Sequence, residues 1–141
     1  MNPRKIAMAK DAAFILLGGR RPAAASLVVT KRCPWQCVYC NGCDQNALQN
    51  DTTMLTSLID QLGEAGTRLL MLTGGEPLIR KDLGVLIRHA KNLGMIVSLN
   101  TSGFQFNERI DDLRELDSVQ VSLDGPEKFN ASRRGKGSFQ T

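Results

Sequence analysis

Apolar positions along the chain alternate between two rhythms, a continuous β-branched or leucine-rich run of about six residues and a longer stretch with period 3.6. The runs predict strands at 25–30, 68–73, 95–100 and 118–123. Between them, Met54, Leu55, Leu58, Ile59 and Leu62 fall on one helical face, with Asp51, Thr52 and Thr53 as N-cap oxygens and Gly66 as the stop. Leu83, Leu86, Ile87, Ala90 and Leu93 form a second such face, which Asp82 opens and Gly94 closes, and a shorter helix is predicted near 108–116. Residues 4–17 carry Ile6, Ala9, Ala13, Phe14 and Leu17 at helical spacing before Gly18-Gly19, and Arg20-Arg21-Pro22 breaks the chain ahead of the first strand. Residues 1–24 are therefore read as an N-terminal helix and linker, and 25–141 as one core domain.

Strand and helix alternating in this way call for an α/β fold with a parallel sheet and right-handed crossovers. In such sheets sites lie at the carboxyl ends of the strands. Four loops meet that condition here: the one after Thr30, Thr73–Pro77, Asn100–Gly103 and Ser122–Pro126.

Composition adds limits. With 141 residues, 42% apolar and 23% charged, the chain can bury a single core. The net charge of +4 is spread over scattered Lys and Arg, and one Trp and one Tyr make no base-stacking platform, so no specific nucleic-acid partner is expected. No apolar run approaches transmembrane length. The short apolar core at 12–17, with Asp11 before it and Arg20-Arg21 before the Ala-x-Ala at Ala23–Ala25, has the wrong layout for a signal peptide. Four cysteines gathered in one short loop argue against a disulfide framework and for a reducing, cytoplasmic setting.

Those cysteines carry the chemistry. Cys33, Cys37 and Cys40 are spaced Cys-x3-Cys-x2-Cys in a tight loop, and three thiolates on a cubane iron–sulfur cluster leave one iron open. A small molecule with an amine and a carboxylate could chelate that iron. Cys43 offers a fourth sulfur, which admits a four-cysteine zinc loop, although zinc sites draw their second pair from a distant segment. It is otherwise a spare thiol lying near the cluster.

Cys33, Cys37, Tyr39 and Cys40 resemble, position by position, the Cys-x3-Cys-x-aromatic-Cys motif of the radical S-adenosylmethionine (SAM) superfamily. Thr73-Gly74-Gly75-Glu76-Pro77 is similar to its second motif, which cradles the methionyl amine of SAM; two glycines would let the ligand lie against bare backbone, and Pro77 extends Glu76. A plain Gly-Gly turn is the alternative. Asn100–Gly103 is similar to the third-strand turn, with Ser102 for Asn, and places Thr101 in the site. Ser122 matches the fourth-strand serine that meets the methionyl carboxylate or ribose, while Asp124 serves equally well as a turn cap. Arg134, or Arg133 in its place, resembles the arginine that reaches the carboxylate of SAM in the subgroup that modifies peptides and builds cofactors such as haem; a solvated basic loop is the other reading. His89 is expected at the surface.

The resemblance implies a partial (β/α) barrel with about four of six β/α units. It implies a 4Fe-4S cluster on Cys33, Cys37 and Cys40, and SAM held by Tyr39, Gly74, Gly75, Glu76, Thr101, Ser122 and Arg134. Reductive cleavage of SAM to a 5′-deoxyadenosyl radical, fed by a flavodoxin- or ferredoxin-type electron donor, would serve hydrogen abstraction from a peptide or a cofactor precursor, with no side chain needed as general acid or base. Met71 stands where molybdenum-cofactor members carry an arginine, which counts against a GTP substrate. A compact glycyl-radical activating enzyme and a non-catalytic iron–sulfur or zinc module are the alternatives. A fourth strand with an open edge would invite self-association or a partner chain.

Overall fold

The computed structural model describes residues 21–140 together with Ala9, Ala13 and Leu16; apart from those three, the helix predicted over 4–17 falls outside the described residues. From residue 24 the order is β1 (Ala24–Thr30), α1 (Thr52–Glu64), β2 (Leu69–Gly74), a 3-10 turn (Pro77–Ile79), α2 (Leu83–Asn92), β3 (Ile96–Thr101), a second 3-10 turn (Asn107–Arg109), α3 (Ile110–Leu113), β4 (Ser118–Val121) and α4 (Glu127–Arg134). The four strands form one sheet in the order β1-β2-β3-β4, every pair parallel. The expected partial barrel is thus present, with strand ends within a residue or two of their predicted places and β4 shorter than predicted.

Register explains the two faces. Leu27, Leu72, Leu99 and Val119 lie in one row across the sheet, and the first three belong to the leucine-rich core or pack against it. That row, with Val29, Leu70 and Val97, faces Leu55 and Ile59 of α1 and Leu83, Leu86, Ile87 and Ala90 of α2. The neighbouring rows, Ser26-Met71-Ser98-Ser118 and Thr73 with Asn100-Gln120, turn a more polar surface the other way. Residues two apart along a strand share a face, so the helices cover one side and the polar side becomes the inside of the curve.

Helix boundaries follow their caps. Asp51 accepts from the Thr53 N–H at 2.8 Å, as predicted. Asp82 stands at the start of α2 but does not cap it with its side chain. Its carboxylate is taken instead by Arg80, at 3.0 Å (Nε) and 2.5 Å (Nη2), and by the Thr52 hydroxyl at 2.5 Å. Arg80, 2% exposed, also donates to the carbonyls of Val29 and Asn50 at 2.9 Å each. One buried guanidinium therefore ties the end of β1, the approach to α1 and the start of α2. Asp82 responds: burial alone would raise its pKa, but the Arg80 and Thr52 bonds outweigh that and lower it. His89 is partly covered and pairs with Asp60 of α1 at 2.7 Å, well away from the strand ends. Among the described residues no helix is long and apolar enough to cross a membrane.

Candidate cluster and cofactor site

The cysteine loop is held by backbone first. β1 carries an extra residue opposite β2, Val28 pairing Thr73 and Thr30 pairing Gly74, so its end is re-aimed as a bulge. Beyond it the ladder continues irregularly: Gly75 N–H donates to Thr30 O and Glu76 N–H to Arg32 O, both at 2.8 Å. A Cβ on Gly74 would stand 2.2 Å from the Thr30 carbonyl oxygen, and one on Gly75 would stand 2.1 Å from that of Arg32. The crossing of the cysteine loop beside the end of β2 therefore already requires both glycines, a role the sequence did not show beside the expected one of letting a ligand lie on them. Gly74 also has φ +141°, which a side chain rarely tolerates.

Glu76 is extended, φ −127° and ψ 104°, as a residue before proline should be. Its carboxylate is taken up by protein groups. Fully buried, it accepts from the Thr101 hydroxyl (2.6 Å), the Ser102 N–H (2.8 Å), the Ser102 hydroxyl (2.5 Å) and the Leu78 N–H (3.1 Å). Its side chain is spent on joining β2 to the end of β3 and does not line the hollow at the strand ends. The Ser102 oxygen in turn accepts from Trp35 Nε1 at 2.8 Å, and Trp35 meets Phe104 edge-on at 5.8 Å. Trp35 lies between Cys33 and Cys37, so the cysteine loop is anchored to β3 by the chain's one tryptophan.

On the other flank stands α4, in a segment for which the sequence predicted no helix, only an arginine reaching a carboxylate or, as the alternative, a solvated basic loop. Its signals were present: Pro126 before Glu127, Arg133 and Arg134 in the last turn, and Gly135 with φ +106° after it. The Arg133 carbonyl accepts from the Val38 N–H at 2.9 Å. The Tyr39 ring lies 5.2 Å from the Arg133 and 5.7 Å from the Arg134 guanidinium, within cation–π range. The Tyr39 hydroxyl donates to Asp124 at 2.8 Å, and the other Asp124 oxygen takes Arg134 at 2.8 Å. Arg134 holds the Asp124 carboxyl below the usual carboxylate range, while burial and the bond to Asp124 push Tyr39 up to about 12. For Arg134, burial pulls its pKa down but Asp124 wins and raises it. Asp124 is thus the centre of a clasp and not a turn cap.

Between these anchors the four thiols gather. Cys33 is buried, Cys37 and Cys43 are half-buried, Cys40 is exposed, and the Cys40 and Cys43 sulfurs are 3.3 Å apart. Burial raises the Cys33 thiol, and the Gly42 N–H and the Cys43 thiol lower Cys40. Cys43 is pushed up to about 12 by burial and by its bond to Cys40. As placed, among the described residues no three His, Cys, Asp or Glu side chains converge to hold a single metal ion. A cubane asks for something different, one thiolate at each of several separate irons.

Two adjoining hollows share Cys33, Trp35, Cys37, Cys40 and Cys43. The outer, about 430 Å³, opens past Gln36, Asp44 and Gln45. The inner, about 230 Å³, is walled by Thr73, Gly74, Gly75, Asn100, Thr101, Ser102, Tyr39, Ser122 and Arg134. A larger hollow of about 540 Å³ by Arg32, Asn50 and Arg80 reaches none of these strand ends. Of the expected cofactor-binding residues, all but Glu76 line the inner hollow, although Tyr39 and Thr101 have committed their hydroxyls elsewhere. Two of its wall residues carry buried atoms without partners, Asn100 Oδ1 and Arg134 Nε. Asn100, on the inner face, was named in the sequence only as part of a turn.

An orphan acceptor and an orphan donor beside four thiols suit a ligand with both ammonium or hydroxyl groups and a carboxylate, and that is the chemistry of SAM. The class follows. The radical SAM superfamily profile matches residues 27–141, and the chain belongs to this superfamily. Among its relatives, PqqA peptide cyclase of Bradyrhizobium diazoefficiens is 36% identical over 118 residues, covering 79% of this chain and 31% of that protein. The PqqA peptide cyclase of Xanthomonas campestris pv. campestris is 40% identical over 108 residues, 72% of this chain and 29% of that one. The chain spans about a third of the length of these relatives. Streptococcus suis SuiB bound to its precursor peptide SuiA has the same fold, with TM-score 0.72, 18% identity and coverage of 96% of this chain and 33% of that. So does anSMEcpe with bound AdoMet, with TM-score 0.67, 21% identity and coverage of 83% and 38%.

Proposed function

We propose that the chain carries the cluster- and SAM-binding part of a peptide-modifying radical SAM enzyme. The observation that supports this most is the inner hollow, which sets three family cysteines against a wall holding an unpaired guanidinium donor suited to a carboxylate, Arg134 Nε, and an unpaired acceptor, Asn100 Oδ1. Cys33, Cys37 and Cys40 would hold a 4Fe-4S cluster. When bound, cluster and SAM supply reductive cleavage to a 5′-deoxyadenosyl radical that takes hydrogen from the substrate. The protein's share is placement. Arg134, oriented by Asp124, meets the methionyl carboxylate; Asn100 and Ser122 meet amine or ribose; Trp35, Ser102 and Glu76 fix the distance between the cysteine loop and β3.

A peptide substrate is favoured because relatives are named for cyclising PqqA and a neighbour in structure is bound to a precursor peptide. A flavodoxin- or ferredoxin-type protein would deliver the electron. The expected result of anaerobic reconstitution is about four irons and four sulfides per chain, lost in Cys33→Ala, Cys37→Ala or Cys40→Ala, with 5′-deoxyadenosine formed once SAM and reductant are added. One zinc per chain, with the same loss in all four cysteine variants, would overturn the reading.

A further inference from the structure

We propose that Cys43 is a fourth, exchangeable thiolate ligand, which occupies the iron left open by Cys33, Cys37 and Cys40 until SAM takes its place. This rests on the cluster reading above and goes beyond it. Two ligand spacings overlap in the loop: Cys33-x3-Cys37-x2-Cys40 and, starting one cysteine later, Cys37-x2-Cys40-x2-Cys43. The second is the Cys-x2-Cys-x2-Cys run with which bacterial ferredoxins bind three irons of one cubane. Cys43 can therefore reach an iron next to that of Cys40 without any rearrangement of the loop's spacing.

The structure keeps Cys43 at that place by means that do not involve sulfur. The Asp44 N–H donates to the Lys31 carbonyl at 3.1 Å, and Arg32 Nε donates to the Ala47 carbonyl at 2.7 Å. The chain after Cys43 is thus stitched back to the residues just before Cys33. The Cys43 side chain lies among its fellows: its sulfur is 3.3 Å from that of Cys40, and it lines both hollows together with Cys33 and Cys37. It lines the inner hollow together with Gly74, Gly75 and Arg134, the wall assigned to SAM. A thiolate bound there and the amine and carboxylate of SAM compete for one corner.

The exchange balances. The iron–sulfur bond of Cys43 breaks, and bonds form to the amine nitrogen and a carboxylate oxygen of SAM. The ammonium of SAM must lose one proton to become a ligand, and the released Cys43 thiolate takes it. No electron moves. In the absence of SAM the exposed corner is thereby capped, which protects the cluster from losing that iron on oxidation.

The test is cysteine labelling of the full chain, reconstituted anaerobically with iron and sulfide, by a short pulse of iodoacetamide read by peptide mass spectrometry. The metal-free chain is the control, and its rate of labelling at Cys43, slow for a protonated thiol, sets the reference to which the other rates are compared. With the cluster bound and no SAM, all four cysteines should lose labelling; adding SAM should restore it at Cys43 alone. Labelling of Cys43 that is the same with and without SAM, whether high or low, overturns the proposal while leaving the three-cysteine cluster intact. Labelling of Cys33, Cys37 and Cys40 in the reconstituted chain would overturn the cluster reading itself. A second measurement does not depend on access: Cys43→Ala should bind the same iron, yet give the EPR signal of a three-iron cluster at a lower ferricyanide dose than the parent chain. An unchanged oxidation profile in Cys43→Ala contradicts the capping role.

Discussion

Gly75 sits where the carbonyl of Arg32 crosses β2, and even one methyl group there would collide with it at 2.1 Å. Both partners are backbone, so neither can swing aside. Gly75→Ala is therefore expected to displace the cysteine loop and to cost about 1–3 kcal/mol of stability, the usual range for overpacking. It should lower iron content on reconstitution together with SAM binding. Full iron content with SAM binding alone impaired would show that the ligand, and not the loop crossing, is what a Cβ there obstructs. The need for a missing Cβ shows in a Gly-Gly pair, but the Thr30 and Arg32 carbonyls that approach it do not. Trp35 and Arg80 were illegible in a similar way. A lone tryptophan and one arginine of a basic pair look like surface until the structure gives them Ser102 and, for Arg80, three separate segments to hold.

At the scale of elements, periodicity made the sheet and its two main helices legible, because Leu and Ile at 3.6 spacing between β-branched runs admit little else. Helix α4 was missed because its work is polar. Of its residues only Asn130 is fully buried, and its contribution is a clasp of Asp124, Arg134 and Tyr39. The clasp has a pH signature. Asp124 holds its charge to lower pH in the folded chain than in the unfolded one, so its contribution is complete above the unfolded value of about 3.9 and is lost as pH falls through the lower folded value. The stability difference between the parent chain and Asp124→Asn, measured by denaturant titration, should be largest near neutral pH and shrink below about pH 4. A difference independent of pH would show that the clasp is not ionic.

For the molecule as a whole, the sheet is open, with the outer edges of β1 and β4 both unpaired by strands among the described residues; the β4 edge is the more apolar in its surroundings. Close to it Val121, Leu123, Phe129 and Phe139 are 54%, 63%, 54% and 41% exposed, a concentration of apolar surface that favours association. Light scattering of the purified chain is expected to show mass growing with concentration, and Val121→Lys with Leu123→Lys should reduce it. A parent chain that stays monomeric over the same range would contradict this. The anchors of the cysteine loop lead to a different consequence. The Thr30 and Arg32 carbonyls, the Trp35 indole, the Val38 amide and the Lys31 carbonyl are all satisfied by protein groups. None of these ties waits for a metal. On the proposed cluster reading, iron would come to a socket already built by protein groups, folding would precede loading, and a chain stripped of its inorganic core would keep the shape needed to take up another.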